Sequence, residues 1–406
     1  MSERRRWTIL AVGTFAQAAT CTFLYGIPML LPALRDDGVS LFAGSLLVAA
    51  PMVGLTLTLV AWGAAADRYG ERVVIVSGVA CAAGLVFVAA AVPGVVAAGV
   101  LFVVAGAFAA SVNAASGRVV MGWFPITERG LAMGTRQTAQ PVGVALAALG
   151  LPPLARSAGV HLALLFPAGL CAVAAFLVWL LVADPPRPSR PAGALPARSP
   201  YRGSADLARV HLTSAMLVVP QFAVATFTLV YLVGQRDWDP TVAGRAVFGF
   251  LVAGALGRVV TGVWSDRVGS RLVPMRQLAV ASATLMVVIA IGAATGQWFV
   301  VFGFALAAVV TVADNGLAYT SVAEFAGHEW AGRALGLQNT VQNLAAVATA
   351  PALAAAIGDS RYALGFALVA ICPVLAVPLT PVRAERRRSR AQDVAAADVV
   401  AAEVPQ

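Results

Sequence analysis

Gly63-Ala64-Ala65-Ala66-Asp67-Arg68-Tyr69-Gly70-Glu71-Arg72 stands where one long apolar run ends and the next begins. Gly262-Val263-Trp264-Ser265-Asp266-Arg267-Val268-Gly269-Ser270-Arg271 repeats its pattern, G-x-x-x-D-R-x-G-x-R, at an offset of 199 residues. An aspartate at the end of a helix faces the negative pole of the helix dipole, an unfavourable place unless donors or cations offset it. The arginines of each stretch can supply charge, and the N-terminus of a neighbouring helix can supply backbone donors. Such a cluster forms only when its neighbours are correctly placed, which suits a conformational latch. Its members would be Gly63, Asp67, Arg68, Gly70 and Arg72 in one copy, and Gly262, Asp266, Arg267, Gly269 and Arg271 in the other. The plainer reading, a turn with ordinary loop arginines, accounts for one copy better than for two.

The chain around these turns is 60% hydrophobic and 12% charged over 406 residues, with a mean hydropathy of +0.83. That is far less charge than a soluble domain carries, and the apolar residues fall in long runs, which makes an integral membrane protein. All 28 basic residues are arginine. They cluster at the ends of apolar runs, so the net charge of +9 does not point to nucleic acid. Cys21, Cys81, Cys171 and Cys372 each sit alone in an apolar run, and His161, His211 and His328 are scattered; neither set has the spacing of a metal site. No nucleotide loop or catalytic set appears, so no cofactor and no enzymatic activity are expected.

Twelve spans can be drawn, at 7–33, 41–66, 72–92, 95–123, 129–154, 160–182, 207–233, 241–265, 272–294, 297–323, 332–357 and 361–381. Most exceed the ~20 residues that cross a bilayer. Residues 184–206, rich in Pro and Arg, form a linker between two six-helix halves, 1–183 and 207–382; residues 383–406 are a basic segment followed by a tail of disordered composition. Only Arg35, Arg156, Arg236, Arg245 and Arg361 fall on one side of this topology, against about twenty on the other, which puts both termini in the cytoplasm. The halves repeat beyond the charged turns. Gln17, Thr22 and Phe23 recur as Gln221, Thr226 and Phe227 at an offset of 204, and Asn113, Gly130, Ala132, Gly134 and Gln140 recur as Asn315, Gly332, Ala334, Gly336 and Gln342 at an offset of 202. Ordered blocks with drifting offset are the residue of a duplication, and parallel halves are one of the repeat schemes of transporters.

The paired turns resemble the loop between helices 2 and 3, and its echo between helices 8 and 9, of the major facilitator superfamily of secondary transporters. The resemblance covers all twelve spans. It implies an all-α fold of two pseudo-symmetric bundles in which helices 1, 4, 7 and 10 line a central cavity and 3, 6, 9 and 12 stand outside. The polar residues give the same division independently, because polar side chains avoid lipid. Gln17 and Tyr25 lie on span 1, Asn113 and Arg118 on span 4, Gln221 on span 7, and Asp314, Asn315, Tyr319 and Glu324 on span 10; spans 5 and 11 add Gln137 and Gln338. A narrower likeness lies in Gly117-Arg118 to Trp123-Phe124-Pro125 and Glu128-Arg129-Gly130-Leu131-Ala132-Met133-Gly134, which looks like the branches that carry organophosphate, carboxylate and cyanate-type anions. Glu128 and Arg129 can bridge the halves. Leu101 to Ala110 holds none of the charge that many drug/proton antiporters carry there.

These readings predict a plasma-membrane transporter of a small organic anion, coupled to protons or exchange. Arg118, roughly 10 Å inside the end of span 4, is the expected anion ligand, or else a structural ion-pair partner. Asn113, Gln17, Tyr25, Gln221, Asn315, Tyr319, Gln137 and Gln338 complete the expected binding set. Asp314 is the expected proton carrier or a partner of Arg118, with Glu324 as a second candidate. A monomer is expected. A drug or metabolite exporter, and a membrane sensor that moves nothing, are the alternatives.

Overall fold

The structure, a computed structural model, describes residues 3–39, 41–185, 199–202, 204–327, 329–358, 360–388 and 390. Most of the Pro- and Arg-rich linker (186–198) and the tail (391–406) therefore lie outside the described residues. The described residues are helical and contain no strand. In the first half the helices are α1 (Glu3–Leu24), α2 (Ile27–Asp36), α3 (Leu41–Tyr69), α4 (Glu71–Ala91), α5 (Val95–Trp123), α6 (Arg129–Gln137), α7 (Ala139–Ala163) and α8 (Leu165–Leu181). In the second they are α9 (Asp206–Arg236), α10 (Pro240–Val268), α11 (Leu272–Thr295), α12 (Phe299–Ala313), α13 (Asn315–Ala326), α14 (Ala331–Ile357) and α15 (Tyr362–Leu379), with a short helix over 382–388. Eleven helical stretches are long and apolar enough to cross a membrane, and Leu165–Leu181 is a shorter apolar helix that completes twelve.

Apart from the turns at Gly159 and Leu164, which separate span 5 from span 6 and interrupt the start of span 6, three of the spans are broken among the described residues. Span 1 turns at Tyr25 and Gly26, between α1 and α2; span 5 at Thr138, between α6 and α7; span 10 at Asp314, between α12 and α13. Each break lies beside a residue of the central cavity described below. Irregular backbone at membrane depth is tolerated where it is buried in protein or lines a cavity, which explains why the breaks gather there.

The outer helices are built for lipid. Phe87 on α4, Trp179 and Leu180 on α8, Ile291 on α11 and Ile371 on α15 are all exposed. The two halves meet where α3 packs on α14 and α6 on α10. Both crossings depend on paired glycines near the ends that carry the charged turns. A Cβ on Gly63 would overlap the carbonyl of Gly332, and one on Gly262 the carbonyl of Gly130. The backbones thus touch with no side chain between them. One turn further in, Gly336 meets Leu59 and Gly134 meets Arg258 in the same manner. The halves are therefore sealed together at this loop end.

Candidate functional site

A cavity of about 70 Å³ lies between the halves, above the sealed end. The first half contributes Gln17, Cys21, Tyr25, Leu55, Asn113, Gln137 and Gln140; the second contributes Val218, Gln221, Phe222, Asn315, Tyr319, Asn339, Gln342, Asn343 and Ala346. The lining is dominated by amides, and the repeat sets them in matching pairs. Gln17 Nε2 donates to Asn113 Oδ1 at 3.0 Å, and Asn315 Nδ2 donates to Gln221 Oε1 at 3.1 Å. These are the four residues that the two duplicated blocks bring into register. The Tyr319 hydroxyl donates to Asn339 Oδ1, and Gln342 Nε2 donates to Ser214 Oγ at 2.6 Å. An amide that pairs with another amide retains spare donors and acceptors, so such a lining can re-pair with a polar solute.

Two buried guanidiniums adjoin this lining. Arg136, 2% exposed, donates from Nε to Ser116 Oγ at 2.7 Å and from Nη2 to the Asn113 carbonyl at 3.1 Å. It also lies over the Tyr319 ring, 5.4 Å from its centroid and across the interface. Arg258 donates from Nη1 to the Gln137 carbonyl of the opposite half at 2.6 Å. Neither forms an ion pair of 4.0 Å or less among the described residues. Asp314 is buried at the break in span 10, its Oδ2 without a hydrogen bond among the described residues.

The charged turns lie at the loop end and cap helices of the opposite half. Asp67 accepts from the backbone N–H groups of Gly332 and Arg333, at 3.1 and 3.2 Å, at the start of α14. Asp266 accepts from those of Gly130 and Leu131, at 2.9 and 2.8 Å, at the start of α6. Within each half the helix after the turn is capped from the end of the bundle. Asp184 Oδ1 accepts from Arg72 N at 2.7 Å, and Glu385 Oε1 from Arg271 N at 2.6 Å. The turn glycines Gly70 and Gly269 have φ of 99° and 66°, a region costly for any other residue.

The arginines break the symmetry. Arg271 pairs with Asp266 of its own turn at 2.5 Å, whereas Arg72 donates to the Trp179 carbonyl instead. Asp67 takes its cation from Arg118 on α5, whose Nε also lies 2.8 Å from Glu71 Oε1. Arg118 is thus held by two carboxylates at the first charged turn, away from the central cavity, and the expected roles of anion ligand and Asp314 partner do not fit its position. The cause is orientation: the position of Arg118 in its span sets its depth along the helix and not the side it faces. Gln338 also lies outside the cavity, taking His211 Nδ1 on its oxygen at 2.6 Å and donating to Ser214 Oγ at 2.6 Å. Glu324 lies at the loop end, 3.7 Å from Arg129 and 3.6 Å from Arg271. Arg129 therefore reaches across the interface, while Glu128 stays in its own half with Arg6 at 2.7 Å. Arg68 lies over the Tyr69 ring, 5.2 Å from its centroid.

Gln17, Tyr25, Asn113, Gln137, Gln221, Asn315 and Tyr319 meet at the cavity. Cys21, Gln140, Asn339, Gln342 and Asn343 join them without having been assigned to binding. A signal for them existed. Residues 17, 21 and 25 share one face of a helix, as do 339, 342, 343 and 346, and Gln338 is one position off that face.

This arrangement can be set beside known proteins. The sequence pattern of the Major Facilitator Superfamily matches residues 13–350 and 212–398. The chain belongs to the major facilitator superfamily. An MFS-type transporter of Mycobacterium tuberculosis strain H37Rv is 43% identical over 380 residues, covering 93% of this chain and 85% of its own length. Among solved structures, the human organic anion transporter MFSD10 (TETRAN) superimposes with a TM-score of 0.69 at 19% identity, over 94% of this chain and 100% of its own. The E. coli fucose:proton symporter FucP superimposes with a TM-score of 0.69 at 15% identity, over 90% of this chain and 97% of its own. Those two likenesses show the fold. As a major facilitator superfamily member the chain is a multi-pass secondary transporter of a small molecule, as its relatives are transporters.

Proposed function

We propose that this transporter carries a small organic anion across the plasma membrane by alternating access, with proton coupling or exchange and with both termini in the cytoplasm. The observation that carries the proposal is the pair of buried guanidiniums, Arg136 and Arg258, beside an amide-lined cavity, with one buried carboxylate, Asp314, next in the chain to Asn315 of the lining. Two fixed positive charges against one acid favour a solute that brings a negative charge, because an uncompensated buried charge is costly. The amides would bind the polar remainder of the solute. The fold alone does not choose, since it serves an organic anion in one structural neighbour and a sugar with a proton in another. Leu55, Phe222, Val218 and Ala346 are the apolar members of the lining, which offers little to the amphipathic drugs of the exporter reading. One chain supplies the cavity and both latches, which supports a working monomer.

The cavity's ~70 Å³ is well below the roughly 300 Å³ of a typical ligand site, so binding requires the halves to part on the side away from the latches. In the sealed form the loop end faces the cytoplasm, as the arginine distribution supports. The test is uptake by proteoliposomes of a panel of carboxylates, phosphate esters, sugars and cationic drugs. Uptake of an anion that disappears in Arg136→Gln supports the reading. Uptake of sugars or cations alone, or anion uptake unchanged in both Arg136→Gln and Arg258→Gln, overturns it.

A further inference from the structure

The second half carries a basic pocket at its loop end that neither the latches nor the cavity uses. It has a volume of about 630 Å³ and lies where α9, α11 and the end of α15 meet the helix over 382–388. Arg209, Arg276, Arg383 and Arg387 line it, and Asp206 is the one carboxylate among its lining residues. Arg209 is held in place. Its Nε and Nη2 donate to the carbonyls of Leu379 and Pro378 at 3.1 and 3.0 Å, and its Nη1 lies 4.0 Å from Asp206. Arg276, Arg383 and Arg387 make no ion pair of 4.0 Å or less among the described residues. Three like charges around one cavity repel unless an anion sits among them.

The repeat shows that the fold does not require these arginines. Their counterparts in the first half, at the offsets of 199 and 201 set by Arg72 with Arg271 and by Asp184 with Glu385, are Ser77, Val182 and Pro186. The capping carboxylates Asp184 and Glu385 are duplicated and the basic set is not. The position also matters. Val377, Pro378 and Val382 line the pocket, and the neighbouring Val374 and Leu375 are exposed on the outer face of α15. The pocket thus lies where the lipid-facing surface ends. Guanidiniums bind phosphate oxygens through paired hydrogen bonds, and basic pockets at this depth suit phospholipid head groups.

We infer that this pocket binds a phosphate group, supplied by an anionic phospholipid head group, with Arg276, Arg383 and Arg387 as its ligands and Arg209 as a fixed wall. The site is independent of the transported solute and of the cavity. The test titrates the purified full-length protein in neutral detergent with phosphatidylglycerol, cardiolipin, phosphatidylcholine and, separately, inorganic phosphate. Melting temperature and lipid retention in native mass spectrometry are the readouts. The triple variant Arg276→Gln, Arg383→Gln, Arg387→Gln is compared with a control of equal charge loss, Arg4→Gln, Arg5→Gln, Arg390→Gln. The anionic lipids are expected to bind and stabilise the protein, with affinity falling more than about tenfold in the pocket variant and less than about twofold in the control. Inorganic phosphate that binds with the same dependence on the three arginines keeps the phosphate site and moves its source to solution. Unchanged lipid affinity in the pocket variant, an equal loss in the control, or equal binding of phosphatidylcholine overturns the inference. Should the triple variant fail to fold, Arg276→Gln and Arg383→Gln are read singly, each expected to weaken binding by about fivefold, and no change in either is equally decisive against it.

Discussion

Asp67 and Asp266 occupy equivalent places in the two halves, and each carboxylate caps the start of a helix from the opposite half, α14 for Asp67 and α6 for Asp266. Each aspartate thereby escapes the unfavourable end of its own helix dipole and meets the favourable end of another. The interaction exists only while the halves are closed at this end, so its whole free energy acts on the access equilibrium.

Asp266→Asn should therefore shift the protein toward the state open at the loop end. The amide keeps one acceptor oxygen but loses the charge, at an expected cost of about 1–3 kcal/mol. Spin labels placed on the loop ends of α6 and α10 would report a new, longer distance population. An unchanged distribution would show that the cap contributes nothing to closure.

Arg118 gives the second prediction. It stands between Asp67 and Glu71, and Glu71 is fully buried. Removing the guanidinium breaks a buried ion-pair cluster, so Arg118→Ala should lower stability by about 3–5 kcal/mol. Adding Glu71→Gln should recover part of the loss. Thermal unfolding of the two single variants and the double variant measures the coupling. Strict additivity would mean that Arg118 and Glu71 act independently, contrary to their contact.

The paired charged turns were legible in the sequence because five of ten residues recur at fixed places, and a repeated charged turn in an apolar chain has few explanations. The polar faces of the spans were legible for a similar reason: a Gln or Asn is rare enough in an apolar run to mark the side that avoids lipid. Direction within the interior was not legible. Arg118 and Arg136 are both arginines within apolar spans, yet one turns to the carboxylates of α3 and α4 and the other to Ser116 and Tyr319. A rotation of about 100° per residue decides this, and only the packed neighbours fix it. Gln338 differs from Asn339 by one such step. The breaks at Tyr25, Thr138 and Asp314 also went unread, although Pro28, Pro141 and the Asn315-Gly316 pair stand close to them.

The glycine crossings give a prediction that does not involve charge. Gly332→Ala would place a methyl group against the carbonyl of Gly63 and the carboxylate of Asp67, and two backbones at a crossing cannot move apart without breaking the seal. The variant should fold, because the clash arises between halves, and it should favour the form open at the loop end. Gly327→Ala, where φ is 73° and no atom lies near the added carbon, should instead lower stability through backbone strain and leave the access equilibrium unchanged. Cysteine accessibility at the loop end, measured beside melting temperature, separates the two effects. Equal accessibility in both variants would refute the role of the crossing in closure.

Asp314 gives the last prediction, which concerns coupling. Its carboxylate is buried, lacks a hydrogen bond on one oxygen among the described residues, and stands next to Asn315 of the cavity lining. A proton taken up by Asp314 would neutralise a buried negative charge beside the cavity and so change the charge balance that the solute meets. Asp314→Asn imitates the protonated form permanently. Once the solute is known, proteoliposomes carrying this variant should exchange labelled for unlabelled solute at a rate near that of the natural protein, because exchange requires no net proton movement. Accumulation driven by a pH gradient should be lost. If exchange and gradient-driven accumulation fall together, Asp314 serves binding or folding and not coupling; if accumulation persists, the proton travels on another group.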